Sequence, residues 1–435
     1  MVVREPQRDT PVLAEHEVVV LGGGPAGIAA ACAAGRAGRS TMLVERYGFL
    51  GGAGTAAGLA NFCGLHAKVH GEHRQVVHGV ADEVLDRLKS MGALAAPHLL
   101  FGGRIQAQAY DASAYKLAAD QILADAKVRL LFHAVAVGFR EAHLLVETKS
   151  GRRAIRGRMF IDCSGDGDLA CWAGAPYEVG DGKGNMLYPS TMYRIGGVDP
   201  VRAGNAWETI AQRMEEAERA GRRFPRKKPI VRPQPNPVEW RANLTQLRNP
   251  DGTAVSGIDA EQLAWGEVEG RRQVWDTFQF IRETTPGFER AYIAEIAPQV
   301  GIRETRRVGG VYRLTEDDVL DCVDFPDAIG VNGWPVEDHK AGDVEFRFQR
   351  APRGYNQLPY RMLVPLGVDN LLVAGRCASM THGGQSAARV SGPCYAMGQA
   401  AGSAAHLALK FGVAPPDVDI GELQTHLMQN GAWLG

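Results

Sequence analysis

One stretch near the N-terminus constrains the fold of this chain more than any other. It runs from Val18 to Glu45 and reads VVVLGGGPAGIAAACAAGRAGRSTMLVE. An apolar run leads into Gly22, Gly24 and Gly27 in G-x-G-x-x-G spacing, and an alanine-rich segment and a second apolar run follow. This order predicts a strand, a glycine turn, a helix and a second strand, which together form a dinucleotide-binding βαβ unit.

Each position in this unit has a physical role in the prediction. Gly22 permits a tight turn out of the strand, Gly24 lets the backbone approach a pyrophosphate, and Gly27 lets the helix pack closely on the sheet. The free N–H groups at the start of the helix attract phosphate. Glu45 can accept hydrogen bonds from both hydroxyls of an adenosine ribose and would repel a ribose 2′-phosphate, so FAD or NAD is expected rather than NADP.

Length and composition set further limits. A chain of 435 residues is expected to form two domains. The formal net charge of −1 gives no general field for nucleic acid or an anionic membrane, and no such partner is expected. The cysteines form no C-x-x-C pair, which is typical of reduced thiols. No secretory signal and no membrane span is recognised, so a cytoplasmic protein is expected.

A cluster of metal-ligand residue types follows the βαβ unit. Glycines at 64 and 71 would interrupt any helix that presented these side chains on one face, and no cysteine pair supports a zinc site. No metal is therefore expected, and solvated or substrate-facing histidines are predicted. The cluster consists of Cys63, His66, His70, His73 and His78.

Two later segments have the character of cofactor-side loops. The apolar run at 159–163 ends in Ser164 and Gly165, and Asp168 can cap the next helix or accept a hydrogen bond from a ribityl hydroxyl. A second apolar run at 370–374 ends in Gly375 and Arg376, and a helix of small residues is predicted from Ser391. Between these segments, proline and basic residues change the composition from about residue 176 and predict an inserted region.

These segments together resemble the FAD-dependent oxidoreductases of the glutathione reductase and fumarate reductase superfamily, in particular a bacterial single-chain group. The matching motifs are GGGPAG through Glu45, IDCSGDGDLA, GIRETRRV and NLLVAGRC through GQAAG, and only about residues 200 to 295 lack a recognisable match. The resemblance implies an α/β fold with a Rossmann-like FAD-binding domain of the glutathione-reductase type. This domain is expected to be discontinuous, over residues 12–175 and 352–435, with an inserted α+β substrate or cap domain at 176–351.

The resemblance also implies that FAD is bound noncovalently, because the segment before Gly51 lacks the histidine that links flavin in succinate dehydrogenases. No second G-x-G-x-x-G for NADPH is present. The implied contacts run from the adenine and ribose, through the pyrophosphate and ribityl chain, to the flavin N1 and C2 carbonyl. The residues are Gly22, Gly24, Gly27, Glu45, Arg46, Gly51, Gly52, Thr55, Val135, Ser164, Gly165, Asp168, Gly375, Arg376, Ser391 and Gly392.

The catalytic predictions rest on two histidines and several arginines. His382 follows the strand that reaches the flavin and is the predicted general base, since a histidine pKa lies near working pH. His339 is the competing base, and Arg389 is predicted to stabilise the flavin or a substrate carboxylate. A loop histidine bonded to backbone is the structural alternative for His382. The candidate anion-binding residues, for which internal salt bridges are the alternative, are Arg303, Arg306 and Arg307.

Three functions stay open at this point. The first is a dehydrogenase or oxidase that moves a hydride from a small alcohol, amine or activated C–H donor to flavin N5. The second is a reductase of an activated C=C bond, and the third is a flavin-binding component without catalysis. A separate electron acceptor, whether oxygen, a quinone or a protein, is expected, and a homo-oligomer is left open.

Overall fold

The computed structural model describes residues 2–3 and 8–435. Part of the N-terminal segment in which no secretory signal is predicted, residue 1 and residues 4–7, lies outside the described residues. The helices are α1 (Pro25–Arg36), α2 (Val80–Ser90), α3 (Ala112–Asp125), α4 (Asp168–Trp172), α5 (Pro200–Ala203), α6 (Ala206–Arg219), α7 (Ala260–Thr284), α8 (Glu316–Leu320), α9 (His382–Ala388), α10 (Ser391–Phe411) and α11 (Ile420–Gln429).

The strands alternate with these helices over the first half of the chain and again near its end. They are β1 (Val12–Leu21), β2 (Thr41–Val44), β3 (Asn61–Phe62), β4 (His66–Val69), β5 (Glu72–Gln75), β6 (His98–Leu100), β7 (Ile105–Ala109), β8 (Arg129–Leu131), β9 (Val135–Arg140), β10 (His143–Thr148), β11 (Gly151–Asp162), β12 (Tyr177–Val179), β13 (Tyr193–Gly196), β14 (Ile230–Pro233), β15 (Trp240–Asn243), β16 (Tyr292–Ile296), β17 (Arg306–Val308), β18 (Ala328–Asn332), β19 (Val336–Asp338), β20 (Glu345–Arg347), β21 (Asn356–Pro359) and β22 (Leu371–Val373).

The main sheet combines a parallel half with an antiparallel meander. Its strand order is β8–β2–β1–β11–β10–β9, and β22 also pairs with β11. Strand β11 serves both halves, since residues 151–156 pair antiparallel with β10 and residues 160–162 pair parallel with β22. The end of β1, at 18–21, is buried, as expected for a parallel strand covered on both faces. The predicted α/β class with a Rossmann-like unit is confirmed.

Two helices cross closely above the first glycine turn. An ideal Cβ on Gly398 of α10 would lie 2.0 Å from the carbonyl oxygen of Ala26 in α1, and one on Gly402 would lie 2.2 Å from that of Ala30. Only glycine therefore allows this separation of the two backbones. The crossing brings the N-terminal ends of α1 and α10 to the same region, because both helix starts line one cavity.

A second antiparallel sheet, in the order β14–β15–β13–β16, carries its own core. Side chains such as Tyr193, Trp240 and Phe278 pack there with α6 and α7, and we call this unit the cap sheet. Within residues 193–291 this core is separate from the main core, whereas Val308 and the stretch 314–336 contribute side chains to the main core. The predicted domain boundaries stay a prediction.

The remaining sheets are short. They pair β3 with β7 and β7 with β6, β4 with β5, β12 with β17, β18 with β21, and β19 with β20. No helix among the described residues is long and apolar enough to cross a membrane. The cysteines are all free thiols.

Candidate active site

A cavity opens where four parallel strands end. Its lining includes the residues that directly follow β1, β2, β11 and β22, which is where open α/β sheets bind ligands. The lining continues past residues 52–62 to the start of α10. On the far side the cavity is closed by residues of the inserted region, namely Gly257, Leu263, Glu267, Gln299, Val300 and Ile302.

The glycine turn after β1 forms a phosphate-sized cradle. Gly22 has a φ of +98°, and an ideal Cβ on it would lie 2.4 Å from the carbonyl oxygen of Cys163. A Cβ on Gly24 would meet nothing closer than the Cα of Gly52 at 3.7 Å, so it would fill the cavity. Helix α1 then begins at Pro25 without a side-chain cap. Its first N–H groups and positive dipole end are therefore available to an anion.

The acid at the end of the βαβ unit is held in place by backbone groups. Glu45 Oε2 accepts a hydrogen bond from the N–H of Gly23 at 2.7 Å, and its Oε1 accepts one from Tyr47 at 3.0 Å. The carboxylate lines the cavity and keeps further lone pairs for ribose hydroxyls. Val135, which is half exposed, also lines this part of the cavity.

Carboxylates at the end of β11 shape the loop that faces the cavity. Asp162 is fully buried and accepts hydrogen bonds from Ser164 N at 3.0 Å, Ser164 Oγ at 2.6 Å and Ala170 N at 2.9 Å. Burial raises its pKa to about 6, against the lowering effect of these hydrogen bonds. Asp166 binds Arg376 Nη2 at 2.7 Å, which fixes that guanidinium on the cavity wall.

Arg306, one of the candidate substrate residues, lies in β17 and is already bonded to residues of this loop. Its Nη1 donates to Asp168 Oδ1 at 2.8 Å and to the carbonyl oxygen of Asp166 at 3.2 Å. Arg307 likewise forms a hydrogen-bonded ion pair with the buried Glu304. These contacts favour the internal salt bridge for both arginines over a substrate contact.

The start of α10 is tied to the segment after β3. Ser391 Oγ accepts from the N–H of Cys63 at 2.9 Å and lies 3.0 Å from the Cys63 carbonyl oxygen, to which it donates. The N–H of Gly392 donates to the same carbonyl at 2.9 Å, and a Cβ on Gly392 would lie 2.1 Å from the carbonyl oxygen of Gly64. Helix α10 has no side-chain cap. Because Ser391 and Cys394 line the cavity, the positive end of the helix dipole lies beside it.

The residues present therefore fit FAD: the glycine turn and the start of α1 would hold its phosphates, and the start of α10 would stabilise negative charge on its ring. Among the predicted contacts, Gly27, Gly51, Thr55 and Gly392 do not line the cavity. Gly27 packs against the carbonyl oxygen of Gly22, and Thr55 Oγ1 donates to Leu50 O at 2.7 Å. The predicted contacts that do line it are Gly22, Gly24, Glu45, Arg46, Gly52, Val135, Ser164, Gly165, Asp168, Gly375, Arg376 and Ser391.

His382 is placed beside the cavity and not within its lining. It is the first residue of α9, and its Nδ1 lies 3.0 Å from the carboxylate of Glu304. Burial lowers the pKa of His382, but Glu304 and Asp338 outweigh this effect and raise it. Arg389 follows the other end of α9, so the Cα atoms of His382 and Arg389 are about 10 Å apart on an ideal helix.

His339 is buried and also lies outside the cavity lining. Its Nε2 is 3.1 Å from Glu337 Oε1. Burial and the nearby Arg303 lower the pKa of His339 well below its ordinary value. Burial alone would raise the pKa of Glu337, but its contact with His339 and the charges of Arg389 and Arg303 lower it to about 2. Glu337 is therefore the ionised member of this group.

Arg389 is the predicted catalytic residue that lines the cavity. Its side chain is 12% exposed, and its Nη2 lies 3.6 Å from Glu337 Oε2. The buried Nε and Nη2 of Arg389 have no hydrogen-bond partner among the described residues, and the same holds for Asn61 Oδ1. Buried polar groups are normally hydrogen-bonded, so this end of the cavity is prepared for a polar ligand.

Sequence reasoning missed several residues in this region. Asn61 lines the cavity, Glu337 pairs with Arg389, and Arg226 and Arg241 are buried nearby. Arg241 follows Trp240 in a strand where alternate residues face opposite sides, so the strand period could have indicated it. The histidines near Cys63 do not converge, and no described group of such residues could hold a metal ion.

Comparison with known proteins finds similar solved structures and one matching family. Similar solved structures include a geranylgeranyl bacteriochlorophyll reductase-like protein from Thermoplasma acidophilum, at 13% identity over 96% of this chain and 83% of that chain, with a TM-score of 0.45. A p-nitrophenol 4-monooxygenase from Pseudomonas putida matches at 10% identity over 96% and 85%, with a TM-score of 0.49. A flavoprotein/dehydrogenase from Cytophaga hutchinsonii matches at 15% identity over 95% and 83%, with a TM-score of 0.45.

A comparison with curated proteins finds no match. The decisive finding is a family model, described as FAD dependent oxidoreductase, that matches residues 17–427. This match covers both the βαβ unit and the small-residue helix α10, so the resemblance predicted from the motifs is confirmed. The chain belongs to the FAD-dependent oxidoreductase family, and FAD is its cofactor.

Proposed function

We propose that this enzyme is a dehydrogenase or oxidase that takes a hydride from a small polar metabolite. We call the part of the cavity lined by Asn61, Arg389 and Ser391 its ring end. The observation that carries the proposal is that polar groups of Arg389 and Asn61 have no hydrogen-bond partner there. A guanidinium with free N–H groups binds an anionic or strongly polar substituent, and an amide oxygen accepts a hydrogen bond from a hydroxyl or amine.

The reaction divides between cofactor and protein. Bound FAD supplies the two-electron acceptor, which takes the hydride at N5. A substrate C–H bond breaks with its electron pair, the hydroxyl or amine gives its proton to a base, for which His382 is the predicted group, and a carbonyl or imine product remains. In this proposal Arg389 orients the substrate, and Asn61 Oδ1 accepts its hydroxyl or amine hydrogen before that proton leaves.

Buried aromatic rings keep water from this end of the cavity. Phe62 and Tyr110 both line it, with ring centroids 4.2 Å apart, and Tyr115 lies against both rings. The Tyr115 and Tyr395 hydroxyls are hydrogen-bonded to each other at 2.5 Å, which satisfies them without a ligand. A dry site strengthens the interaction between Arg389 and a charged substrate.

The proposal is tested by mixing the FAD-loaded enzyme anaerobically with alcohols, amines, hydroxy acids and amino acids. We expect at least one donor to bleach the oxidised flavin spectrum. The variant Arg389→Gln should slow this bleaching by about tenfold or more at equal donor concentration, because one charge-assisted contact is lost. The matched control is Arg353→Gln, since Arg353 forms an exposed ion pair with Asp324 away from the cavity.

A reductase of an activated C=C bond is the second candidate, because the free N–H groups of Arg389 would also hold the carboxylate of an alkene acid. It predicts the opposite outcome. No donor would bleach the enzyme, and an activated alkene would reoxidise the chemically reduced flavin rapidly. That result would overturn the proposed direction of hydride transfer.

A further inference from the structure

The cap sheet places three arginines opposite one another on adjacent strands. In the antiparallel register Arg241 of β15 is paired with Arg194 of β13 and with Arg232 of β14. Directly opposite residues lie on the same face of a sheet, and like charges there destabilise it. Trp240 and Ala242 pack in the core of the cap sheet. Arg241 therefore faces the other way. Its Nη1 donates to the carbonyl oxygen of Leu59 at 2.8 Å, and Leu59 lines the cavity.

One of these arginines is neutralised and another is not. Arg194 has ion pairs with Glu295 at 3.0 Å and with Glu239 at 3.6 Å. Arg241 is 4% exposed, forms no ion pair among the described residues, and its Nε has no hydrogen-bond partner. Arg194 and Arg241 are directly opposite each other in the sheet, so the lack of an ion pair is specific to the position of Arg241.

Arg226 continues this unpaired charge along the same face. Asn243 lies two residues after Arg241 in β15, and its Oδ1 accepts from Arg226 Nη1 at 3.4 Å. The remaining hydrogen bonds of Arg226 go to the carbonyl oxygens of Lys227 and Lys228. The guanidinium is 3% exposed, and burial lowers its pKa to about 10.

Arg303 completes the group from the other side. It is 6% exposed and donates to the carbonyl oxygen of Tyr188 at 2.5 Å and to Ser190 Oγ at 2.8 Å, both neutral acceptors. Of the arginines that are buried in the described part of the chain, Arg307 is the one with an acidic partner. The others, Arg226, Arg241 and Arg303, form no ion pair within 4.0 Å among the described residues.

Charges that are buried in proteins are normally paired, because an isolated ion in a low dielectric is costly. Glu337, whose side chain is 12% exposed, is a carboxylate near this group, and Arg389, Arg303 and His339 all lower its pKa. The region between the cap sheet and the ring end of the cavity thus has an excess of positive charge. A ligand with one negative group would leave much of this excess unpaired.

We infer that the substrate is a small metabolite with two negatively charged groups, in the simplest case a dicarboxylate. Arg389, which lines the cavity, binds one group, and the other is attracted toward Arg241, Arg226 and Arg303, which lie outside the cavity lining. This inference rests on the proposed function, since it names the substrate class of the same site. Planar guanidinium groups suit carboxylates because they bind them through two parallel hydrogen bonds. Arg241 and Arg226 act as the residues that select the second charge.

The test measures binding by calorimetry to the FAD-loaded enzyme, without turnover. The probes are the dicarboxylates from malonate to adipate, each compared with its monoamide and diamide, which keep the size and remove the charges one at a time. We expect at least one dicarboxylate to bind about tenfold or more tightly than its monoamide, and the monoamide to bind more tightly than the diamide. Raising the salt concentration should weaken the dicarboxylate most.

Variants assign the second charge to the cap sheet. Arg241→Gln and Arg226→Gln should each lower dicarboxylate affinity by about tenfold, with a smaller effect on the monoamide. Arg194→Gln is the matched control, because Arg194 is opposite Arg241 but already forms ion pairs with Glu239 and Glu295. This variant should bind the dicarboxylate as tightly as the wild type. Without ligand, Arg241→Gln should keep or raise the melting temperature, because an unpaired buried charge is removed.

The inference is overturned if no dicarboxylate binds more tightly than its diamide, or if Arg194→Gln and Arg241→Gln weaken binding equally. If monocarboxylates that carry a phosphate ester bind with the same dependence on Arg241, the inference of a substrate with two negative groups holds, and the second group is a phosphate in place of a carboxylate. Failure of the proposed function is a separate result, because a neutral donor could bleach the flavin in an enzyme that binds no dianion. Conversely, dianion binding would stand even if only an alkene acid reacted.

Discussion

The histidines proposed as bases differ in their electrostatic surroundings. His382 is held by Glu304 and has Asp338 at 4.0 Å, and these acids raise its pKa. His339 is buried beside Glu337, and burial and the charge of Arg303 outweigh that carboxylate and lower the pKa of His339 well below the ordinary value. A base must be deprotonated to act, so the two assignments predict different pH dependences of catalysis.

If His382 is the base, kcat/KM should rise with pH through a pKa above 6.5 and level off at higher pH. Protonated His382 is stabilised by Glu304, so the enzyme loses activity as pH falls through this raised value. The profile is measured with wild type and with His382→Gln, whose rising limb should disappear. A plateau that extends below pH 6.5 and is unchanged in His382→Gln would assign the base elsewhere, with His339 as the remaining candidate.

Several residues that line the cavity were predictable one by one, whereas the arginines that we propose attract an anion were not. Gly22, Gly24 and Glu45 could be assigned from spacing because their roles depend on local backbone geometry. Arg226 and Arg241 depend on which side of a distant sheet faces the cavity, and this follows from strand pairing between remote parts of the chain. Arg306 was a candidate by proximity to Arg303, but its partner Asp168 is 138 residues away.

At the scale of elements, the crossing of α1 and α10 sets the geometry of the cofactor site. The N-terminal ends of both helices line the cavity, and glycines at 398 and 402 let their backbones approach. The sequence predicted both helices from their small residues. It did not predict that α10 packs on α1, because the contact joins the two ends of the chain.

This packing gives a prediction for stability. Gly402→Val should lower the free energy of unfolding by about 3 kcal/mol, because the new side chain overlaps the carbonyl oxygen of Ala30 and the helices must separate. Denaturant unfolding of the FAD-loaded enzyme measures this change. Gly421→Ala in the exposed first turn of α11 is the control and should be neutral or slightly stabilising. Equal stability of Gly402→Val and wild type would show that the helices do not pack this closely.

Short strands of the cap sheet were the elements that sequence analysis could not predict. The segment near residue 230 is rich in proline, yet Ile230–Pro233 forms β14 at the edge of the cap sheet. Proline at the end of an edge strand costs no ladder hydrogen bond, so the composition does not exclude a strand. Four-residue strands carry too few alternations to reveal their period.

At the scale of the whole molecule, the active site lies between two hydrophobic cores. The main core supports the glycine turn and the cofactor loops, and the cap sheet turns its polar face toward Leu59 and the ring end of the cavity. In our proposal the Rossmann-like part holds the cofactor and the inserted part selects the substrate. Noncovalent attachment of FAD and the domain boundaries remain predictions at this scale.

The most direct test of the central claim is the rate of flavin reduction under anaerobic conditions, measured with one donor in two isotopic forms. The donor is the metabolite that bleaches the enzyme, with hydrogen or deuterium at the reacting carbon. The account predicts that deuterium slows the reduction of bound FAD, because the C–H bond breaks as the hydride leaves. Bleaching at the same rate with both forms, or reoxidation of reduced enzyme by an alkene acid with no donor active, would contradict it.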